Sequence, residues 1–439
     1  MADIQRVCRV LSDPLPNIWP MRILHTSDWH VGRTFHGRDL LADQAAVLSG
    51  IADVVSDRQV DVVAVAGDLF DRAVPSADAV GVATAALEAI RAAGAVIVVI
   101  PGNHDSATRL GQSASFAAHG GLHLRTTLGG LADPVLLDDP DGPVACYAVP
   151  YLEPDVHRDA LGVTGRGHEA VLSAALGRIR ADLARRPAGT RSVLLAHAFV
   201  VGAQASGSER PITVGGVETV PAGVFHGVDY VALGHLHSAQ RVTTTVRYSG
   251  SPLPYSFGER NGAKAALLVD LAGVGSTEVE QVELPVIRPL ARVTGTLDEL
   301  LTDRGHAGVA AHYLSVRLTD PVRPLDAMRR LQQRFPFAVH LQWDPPARSP
   351  LSLVGRQPVR GSRPDLGVAV DFLESVRHSG PSATERSLLA AACTAAADPD
   401  ADPTQDADPA QDAGRGQEAG GDGRLAHQSL APASLGLVG

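Results

Sequence analysis

The stretch Met21-Arg-Ile-Leu-His-Thr-Ser-Asp-Trp-His30 decides the reading of the fold. A short apolar strand runs straight into a polar loop, so an aspartate and a histidine stand where a buried strand ends. The same pattern of buried run, then Gly, Asn, Asp or His, recurs along the chain. Short runs rich in Val, Ile, Leu and Ala fill residues 60–66, 95–100, 144–150, 192–196 and 228–233, as expected of strands covered on both faces. Apolar residues at helical spacing occupy 40–58, 76–93 and 168–186 between them. This alternation predicts an α/β layered fold. Two further strands, 242–249 and 264–271, read as antiparallel members of a second sheet.

Beyond Pro289 the pattern changes. Strands at 291–296, 313–318 and 338–343 with a helix at 325–335 suggest a small α+β unit. Pro345, Pro346 and Pro350 mark a linker, and helices are expected at 365–377 and 382–396. The expected domains are an N-terminal extension (1–20), a main domain (21–288), the small unit (289–346), a linker with helices (347–396) and an acidic tail (397–439). The extension and the tail read as disordered. Because the first strand begins abruptly at Met21, the functional chain is expected to start there.

The 439 residues suffice for two or three domains. No apolar run approaches the roughly 20 residues that span a bilayer, and the first residues lack a signal pattern. A soluble cytoplasmic protein is expected. Cys8, Cys146 and Cys393 are too few and too scattered for a disulfide framework or a thiolate metal site. The net charge is −10, of which the tail, with eight acidic residues and two arginines, supplies −6. A body near −4 neither excludes nor supports a nucleic-acid ligand.

Five segments carry the chemistry: Asp28-Trp-His30, Gly67-Asp68, Gly102-Asn103-His104-Asp105, His197 and Gly234-His235-Leu236-His237. Alone, each is a common loop, a turn or a core histidine. Together, each lies at the end of an expected buried strand, and in open α/β sheets such carboxyl ends converge on one edge. Carboxylate, imidazole and one amide oxygen form a mixed, moderately hard donor set that suits Mn²⁺, Mg²⁺ or Fe better than structural zinc. Two such ions roughly 3.5–4 Å apart would clamp a phosphate.

These segments resemble the calcineurin-like metallophosphoesterase superfamily. Arg22 to Gly32, Gly67-Asp-Leu-Phe-Asp71, Pro101-Gly-Asn-His-Asp105 and Tyr248-Ser-Gly-Ser-Pro-Leu-Pro-Tyr-Ser-Phe257 resemble, more narrowly, the family of SbcD nuclease subunits, bacterial relatives of the Mre-type repair nucleases. The resemblance covers about residues 21–345. It implies a two-sheet metallophosphoesterase fold flanked by helices, with residues 289–346 as a capping domain. It implies that Asp28, His30 and His237 hold one metal and Asn103, His197 and His235 the other. Asp68 would bridge them, and His104 would face the scissile phosphate. Two divalent ions, Mn²⁺ before Mg²⁺ or Fe, are the implied cofactors.

The implied activity is an ATP-dependent 3′-to-5′ double-strand DNA exonuclease and single-strand or hairpin endonuclease, acting in DNA repair and recombination. The implied partners are DNA (duplex ends, hairpins and single strands) and an SbcC-type ABC ATPase, in a heterotetramer built on a nuclease dimer. No membrane partner is expected, and the protein would be nucleoid-associated. The chain itself has no Gly-x-x-x-x-Gly-Lys-[Ser/Thr] loop to bind ATP. Leu366, Val370, Leu373 and Val376 form a stripe that would dock on that ATPase, with Phe372 and Leu389 nearby. Asp71 and Asp105 are candidates to orient histidines. His25 reads as a locally bonded histidine, and His36 and Arg38 as residues that touch DNA phosphates. A cyclic-nucleotide phosphodiesterase and a non-catalytic DNA-binding scaffold are the rival readings.

Overall fold

All five residues of Val62–Ala66 are buried, and four of the five in Val96–Ile100. Strands with no polar face must be covered on both sides, and the fold supplies two covers. The computed structural model describes residues 20–209, 219–259, 263–273, 275–345, 365–377 and 379–396. Two six-stranded sheets lie face to face. The first runs Thr277–Glu283, Ala265–Leu271, Met21–Thr26, Val62–Ala66, Val96–Ile100, Leu122–Leu124. The second runs Gln240–Arg241, Val246–Tyr248, Tyr230–Gly234, Arg191–His197, Gly142–Ala148, Val135–Asp139.

Ile23, Val62, Ala64 and Val98 meet Val144, Val193, Leu195 and Ala232 in the layer between the sheets. The outer face of the first sheet, including Leu24, Val63 and Ile97, packs on Val47, Leu48 and Ile51 of the helix Leu41–Asp57. The outer face of the second packs on Val171, Ala175 and Ile179 of His168–Leu183. The result is a helix–sheet–sheet–helix sandwich, the layered α/β architecture expected. Ser76, whose side chain accepts from the Ala79 N–H, starts the helix Ala77–Ala92.

Two strand expectations are corrected. Ala265–Leu271 is antiparallel, but it joins the first sheet beside Met21–Thr26, with Met21 opposite Leu271. Val246–Tyr248 joins the second sheet but runs parallel to Tyr230–Gly234. Its short antiparallel partner is Gln240–Arg241. Alternation within a strand reports burial and says nothing of pairing direction, so the error was one of topology.

The parallel strands set the site. Ala66 pairs with Ile100, and Gly234 with His197, so their carboxyl ends lie level. The small unit is a parallel three-stranded sheet, Leu290–Gly295, Tyr313–Leu318 and Ala338–Trp343. It has the expected helix, Ala327–Arg334, and a further one, Leu297–Thr302, started by a Thr296/Glu299 capping box. Leu290 and Tyr313 sit in the main hydrophobic core, and the Tyr313 hydroxyl donates to Asp43 at 2.8 Å. Through these contacts the small unit and the sandwich form one compact body ending at Ser349.

A second unit begins at Pro350. Its described part is the helix pair Asp365–Arg377 and Ala383–Ala396, joined by an Arg377–Glu385 ion pair. Val370 is buried, and Leu366 and Leu373 are half-buried. The large apolar side chains exposed in the pair are Val368, Phe372, Val376 and Leu388, so of the expected stripe only Val376 is exposed. The expectations for residues 1–19 and 397–439 lie outside the described residues.

Candidate metal centre

Backbone conformation marks the site before any side chain does. Seven described residues other than glycine have positive φ, and four of them are Asp28, His30, Asp68 and His235. Such conformations cost energy and persist only where the surroundings enforce them. Here the enforcement is visible. The Asp28 N–H donates to the Gly67 carbonyl, and the His30 and Val31 N–H groups donate to the Asp68 and Leu69 carbonyls. The first two loops thus zip together. Gln44, the one buried polar residue of its helix, locks them further. Its amide donates to the Trp29 and His30 carbonyls, and its oxygen accepts the Gly32 N–H.

The side chains converge as the sequence reading expects. Asp28, His30 and His237 offer ligand atoms all within 4.8 Å of one another, as do Asp28, Asp68 and His197. One Asp68 oxygen lies 3.6 Å from His30 Nε2 and 3.5 Å from His197 Nε2, so it faces both groups of residues. His235 packs edge-on against His197 with ring centroids 5.4 Å apart, and Asn103 Oδ1 is 2.9 Å from His197 Nε2. All eight residues therefore belong to one cluster. His104 and Asn103 are half-buried, and the other six are buried.

The donor chemistry fits cations. The His197 Nδ1–H donates to the Ala66 carbonyl at 3.0 Å, which leaves the Nε2 lone pair facing the Asn103 amide oxygen. Ser208 Oγ donates to Glu259 at 2.8 Å and accepts the His237 Nδ1–H at 2.6 Å. That leaves His237 Nε2 as a lone pair 3.0 Å from His30 Nε2. The His237 lone pair is thus open to a cation, or to a proton on His30 Nε2. Burial also keeps the imidazoles neutral. Desolvation lowers His197 and His235 to about 3 and takes His30 and His237 well below their ordinary value. Desolvation, then the neighbouring Asp68 charge, pushes Asp28 well up. Metal ions relieve these strains by neutralising the carboxylates and accepting the lone pairs.

Several expectations are sharpened. Asp71 lies 3.6 Å from His30 Nδ1, a nitrogen that has no hydrogen bond, and 3.5 Å from Arg33. Among the described residues the Asp105 carboxylate is bonded to backbone and not to a histidine ring. It accepts the N–H groups of Leu69, Phe70 and Gly102, tying two loops together, and desolvation with the Asp68 charge raises it to about 7. His25 is a local residue as expected. The Tyr230 hydroxyl donates to Nδ1 at 2.9 Å, and Nε2–H donates to the Leu233 carbonyl at 3.0 Å. Arg38 stacks over Phe337 of the small unit, 4.9 Å from the ring centre.

Sequence reasoning missed the supporting shell. Glu209 accepts the N–H groups of Ser206, Gly207, Ser208 and His237; burial alone would raise it, yet these bonds hold it below its ordinary value. Lys264 donates to the His237 carbonyl and to Ser251, and pairs with Glu259. The Tyr248–Phe257 run buttresses the first loop. Ser249 bonds Ser27, which donates to Asp28 at 2.6 Å. Tyr255 donates to the Trp29 carbonyl, and its ring packs edge-on against His30 and His237. The only available signal was indirect: a Gln on an apolar helix face and a Ser-rich run after a strand.

Comparison with known proteins gives the family. Residues 21–239 match the calcineurin-like phosphoesterase family. Residues 286–353 match the type 5 capsule protein repressor C-terminal domain. The SbcD subunit of the SbcCD nuclease from Staphylococcus epidermidis is 30% identical over 319 residues, 72% of this chain and 83% of the relative. Among solved structures, a Thermus thermophilus protein aligns over 60% of this chain and 100% of its own, at 17% identity and a TM-score of 0.36. A dimetal phosphatase from Danio rerio aligns over 61% of this chain and 100% of its own, at 16% identity and a TM-score of 0.34. Likenesses at that level carry no argument.

Proposed function

This chain belongs to the calcineurin-like phosphoesterase family, among the SbcD nuclease subunits, and from that premise we propose that it hydrolyses DNA phosphodiester bonds at a two-metal centre. The observation that carries the reading is the single Asp68 oxygen placed 3.5–3.6 Å from imidazole nitrogens of two different groups of residues. In this reading Asp28, His30 and His237 would hold one ion, Asn103, His197 and His235 would hold the other, and Asp68 would be shared between them. The mixed oxygen and nitrogen donor set without thiolate admits Mn²⁺, Mg²⁺ or Fe, and the family resemblance puts Mn²⁺ first. When bound, two such ions neutralise the phosphate and make a water reactive near neutral pH.

The chain's own groups do the rest. Asp105 and Gln44 hold the loops that carry Asp68, Asn103 and His30. Ser208, Glu259 and Lys264 fix the His237 ring through its Nδ1 and carbonyl. His104 is the one histidine of the set that is half-buried. Its Nδ1–H donates to the Asp71 carbonyl at 2.8 Å, which leaves Nε2 to face the substrate. With both ring nitrogens protonated, Nε2–H would donate to a phosphate oxygen, or pass that proton to the departing 3′ oxygen, as charge develops.

The wider activity follows the family: ATP-dependent 3′-to-5′ exonuclease on duplex ends and endonuclease on hairpins and single strands. It would act with an SbcC-type ABC ATPase in a heterotetramer, on nucleoid DNA in the cytoplasm. Among the described residues no helix is long and apolar enough to cross a membrane. Parallel assays on end-labelled duplex DNA, a hairpin and a cyclic nucleotide, in Mn²⁺ with and without ATP and the ATPase, test this. Cleavage of the cyclic nucleotide alone would overturn it.

A further inference from the structure

Beside the metal centre, where the small unit meets the sandwich, lies a cleft of about 440 Å³. Its inner wall is shared with the centre: Ser208 bonds His237, and Tyr255 packs against both His30 and His237. Its outer wall comes from the small unit, through Arg292, Ser315 and His340. Rings gather at the seam. His36, on the loop after the first motif, stands 5.0 Å from His340 and 5.4 Å from Phe257, measured between ring centres. Ser315 bonds His340 Nδ1 at 2.9 Å and so holds that ring in place.

Two cations line the same cleft. Arg33 lies over the Tyr255 ring at 4.8 Å; its Nη2 donates to the Ser208 carbonyl at 2.8 Å, and its Nη1, 3.5 Å from Asp71, makes no hydrogen bond. Arg292 is exposed on the Leu290–Gly295 strand and has no acidic partner among the described residues. Rings and two guanidinium groups in one cleft match the chemistry of a nucleotide, whose base stacks and whose phosphate is anionic. The size decides which form enters. About 440 Å³ is the room of a small-ligand site; a duplex, whose major groove alone is about 12 Å wide, cannot fit.

We propose that this cleft is a single-nucleotide subsite. It takes one unpaired nucleotide of the strand held at the metal centre, with the base on the His36–His340 platform and the phosphate between Arg33 and Arg292. The proposal rests on the nuclease reading above and deepens it. A terminal nucleotide must leave its partner strand to enter, so frayed and single-stranded ends are favoured over tightly paired ones. His36 is thereby assigned to a base and not, as the sequence suggested, to a phosphate.

The test uses the full chain in Mn²⁺ and the variants His340→Ala, His340→Phe and Arg292→Ala. Hydrolysis of bis(p-nitrophenyl) phosphate reports the metal centre alone. Cleavage of a single-stranded oligonucleotide, and quenching of a terminal 2-aminopurine, report the cleft. His340→Ala and Arg292→Ala should each raise KM for the oligonucleotide about tenfold. Hydrolysis of the small diester should stay unchanged. His340→Ala should also abolish the 2-aminopurine quench, and His340→Phe, which keeps a ring, should restore it. Unchanged oligonucleotide KM, or equal losses on both substrates, would overturn the subsite. A parent protein that cleaves the small diester but no oligonucleotide would instead overturn the nuclease reading.

Discussion

Gly102 offers a direct test of how finely Asp68 is placed. Its φ is not in the left-handed region, so alanine suits the backbone there. The side chain, however, has no room. A Cβ at this position would stand 2.5 Å from the Asp68 nitrogen and 2.6 Å from Asp68 Cγ, with Oδ1 nearer still. Ordinary contact begins near 3.4 Å, so in Gly102→Ala the Asp68 carboxylate oxygen must retreat by roughly 1.3 Å and the Asp68 backbone by roughly 0.9 Å. A shift of that order at a reacting centre costs about 10²-fold in rate. Overpacking costs about 1–3 kcal/mol of stability. The expected result is weaker Mn²⁺ binding by calorimetry and bis(p-nitrophenyl) phosphate hydrolysis lowered about 10²-fold, in a protein that still unfolds cooperatively. Gly177→Ala is the control. It lies in the helix His168–Leu183 with open space around the added carbon. It should keep full activity and gain up to about 1 kcal/mol. If Gly102→Ala keeps both metals at the parent affinity and cleaves within about twofold of the parent rate, Asp68 is not the bridge its geometry suggests.

Other expectations follow from single contacts. His104→Gln should lower single-turnover DNA cleavage by about 10²–10⁴-fold and keep both metal equivalents by elemental analysis; loss of a metal would make it a ligand. Arg191 is fully buried and pairs with Asp139, while also donating to the Leu271 and Gly142 carbonyls of the two sheets. Arg191→Met should therefore cost about 3–5 kcal/mol in urea unfolding, and adding Asp139→Leu should recover part of it; a cost below about 1 kcal/mol would contradict the pairing. His25 is lowered to about 3 by burial, against 6.5 when unfolded. The unfolded state thus binds the extra proton between these values. The contribution of His25 to stability is complete above about pH 6.5 and is lost as pH falls toward 3, at about 1.4 kcal/mol per pH unit. Denaturation of metal-free protein across pH 4–7 should show a shallower slope in His25→Gln than in the parent.

Much of this site was legible because each ligand segment follows a buried strand. Runs such as Val62–Ala66 and Tyr230–Gly234 are apolar throughout, and the switch to Asp68 or His235 is abrupt. Parallel pairing then brings the ends level with no further information needed. What stayed hidden has a common cause: it depends on contacts between residues far apart in sequence. Ala265–Leu271 could not be assigned to the first sheet, because its pairing with Met21–Thr26 spans more than two hundred residues. Glu209 and Lys264 sit in loops without periodicity, and only the folded chain shows them gripping the backbone of His237. Asp105 was expected to orient a histidine but binds backbone N–H groups instead. Its position after Asn103-His104 gave no hint of which way its carboxylate turns. The positive φ values at Asp28, His30, Asp68 and His235 were only faintly signalled, since aspartate and histidine enter that region more often than most residues but far less often than glycine.

The most direct test is a calorimetric titration of metal-free protein with Mn²⁺, for the parent, His237→Gln and Asp68→Asn. The expected result is two ions per chain in the parent, one in His237→Gln, and weakened binding of both in Asp68→Asn. A parent that binds one ion or none, or an Asp68→Asn variant that binds two at parental affinity, would contradict the shared two-metal centre.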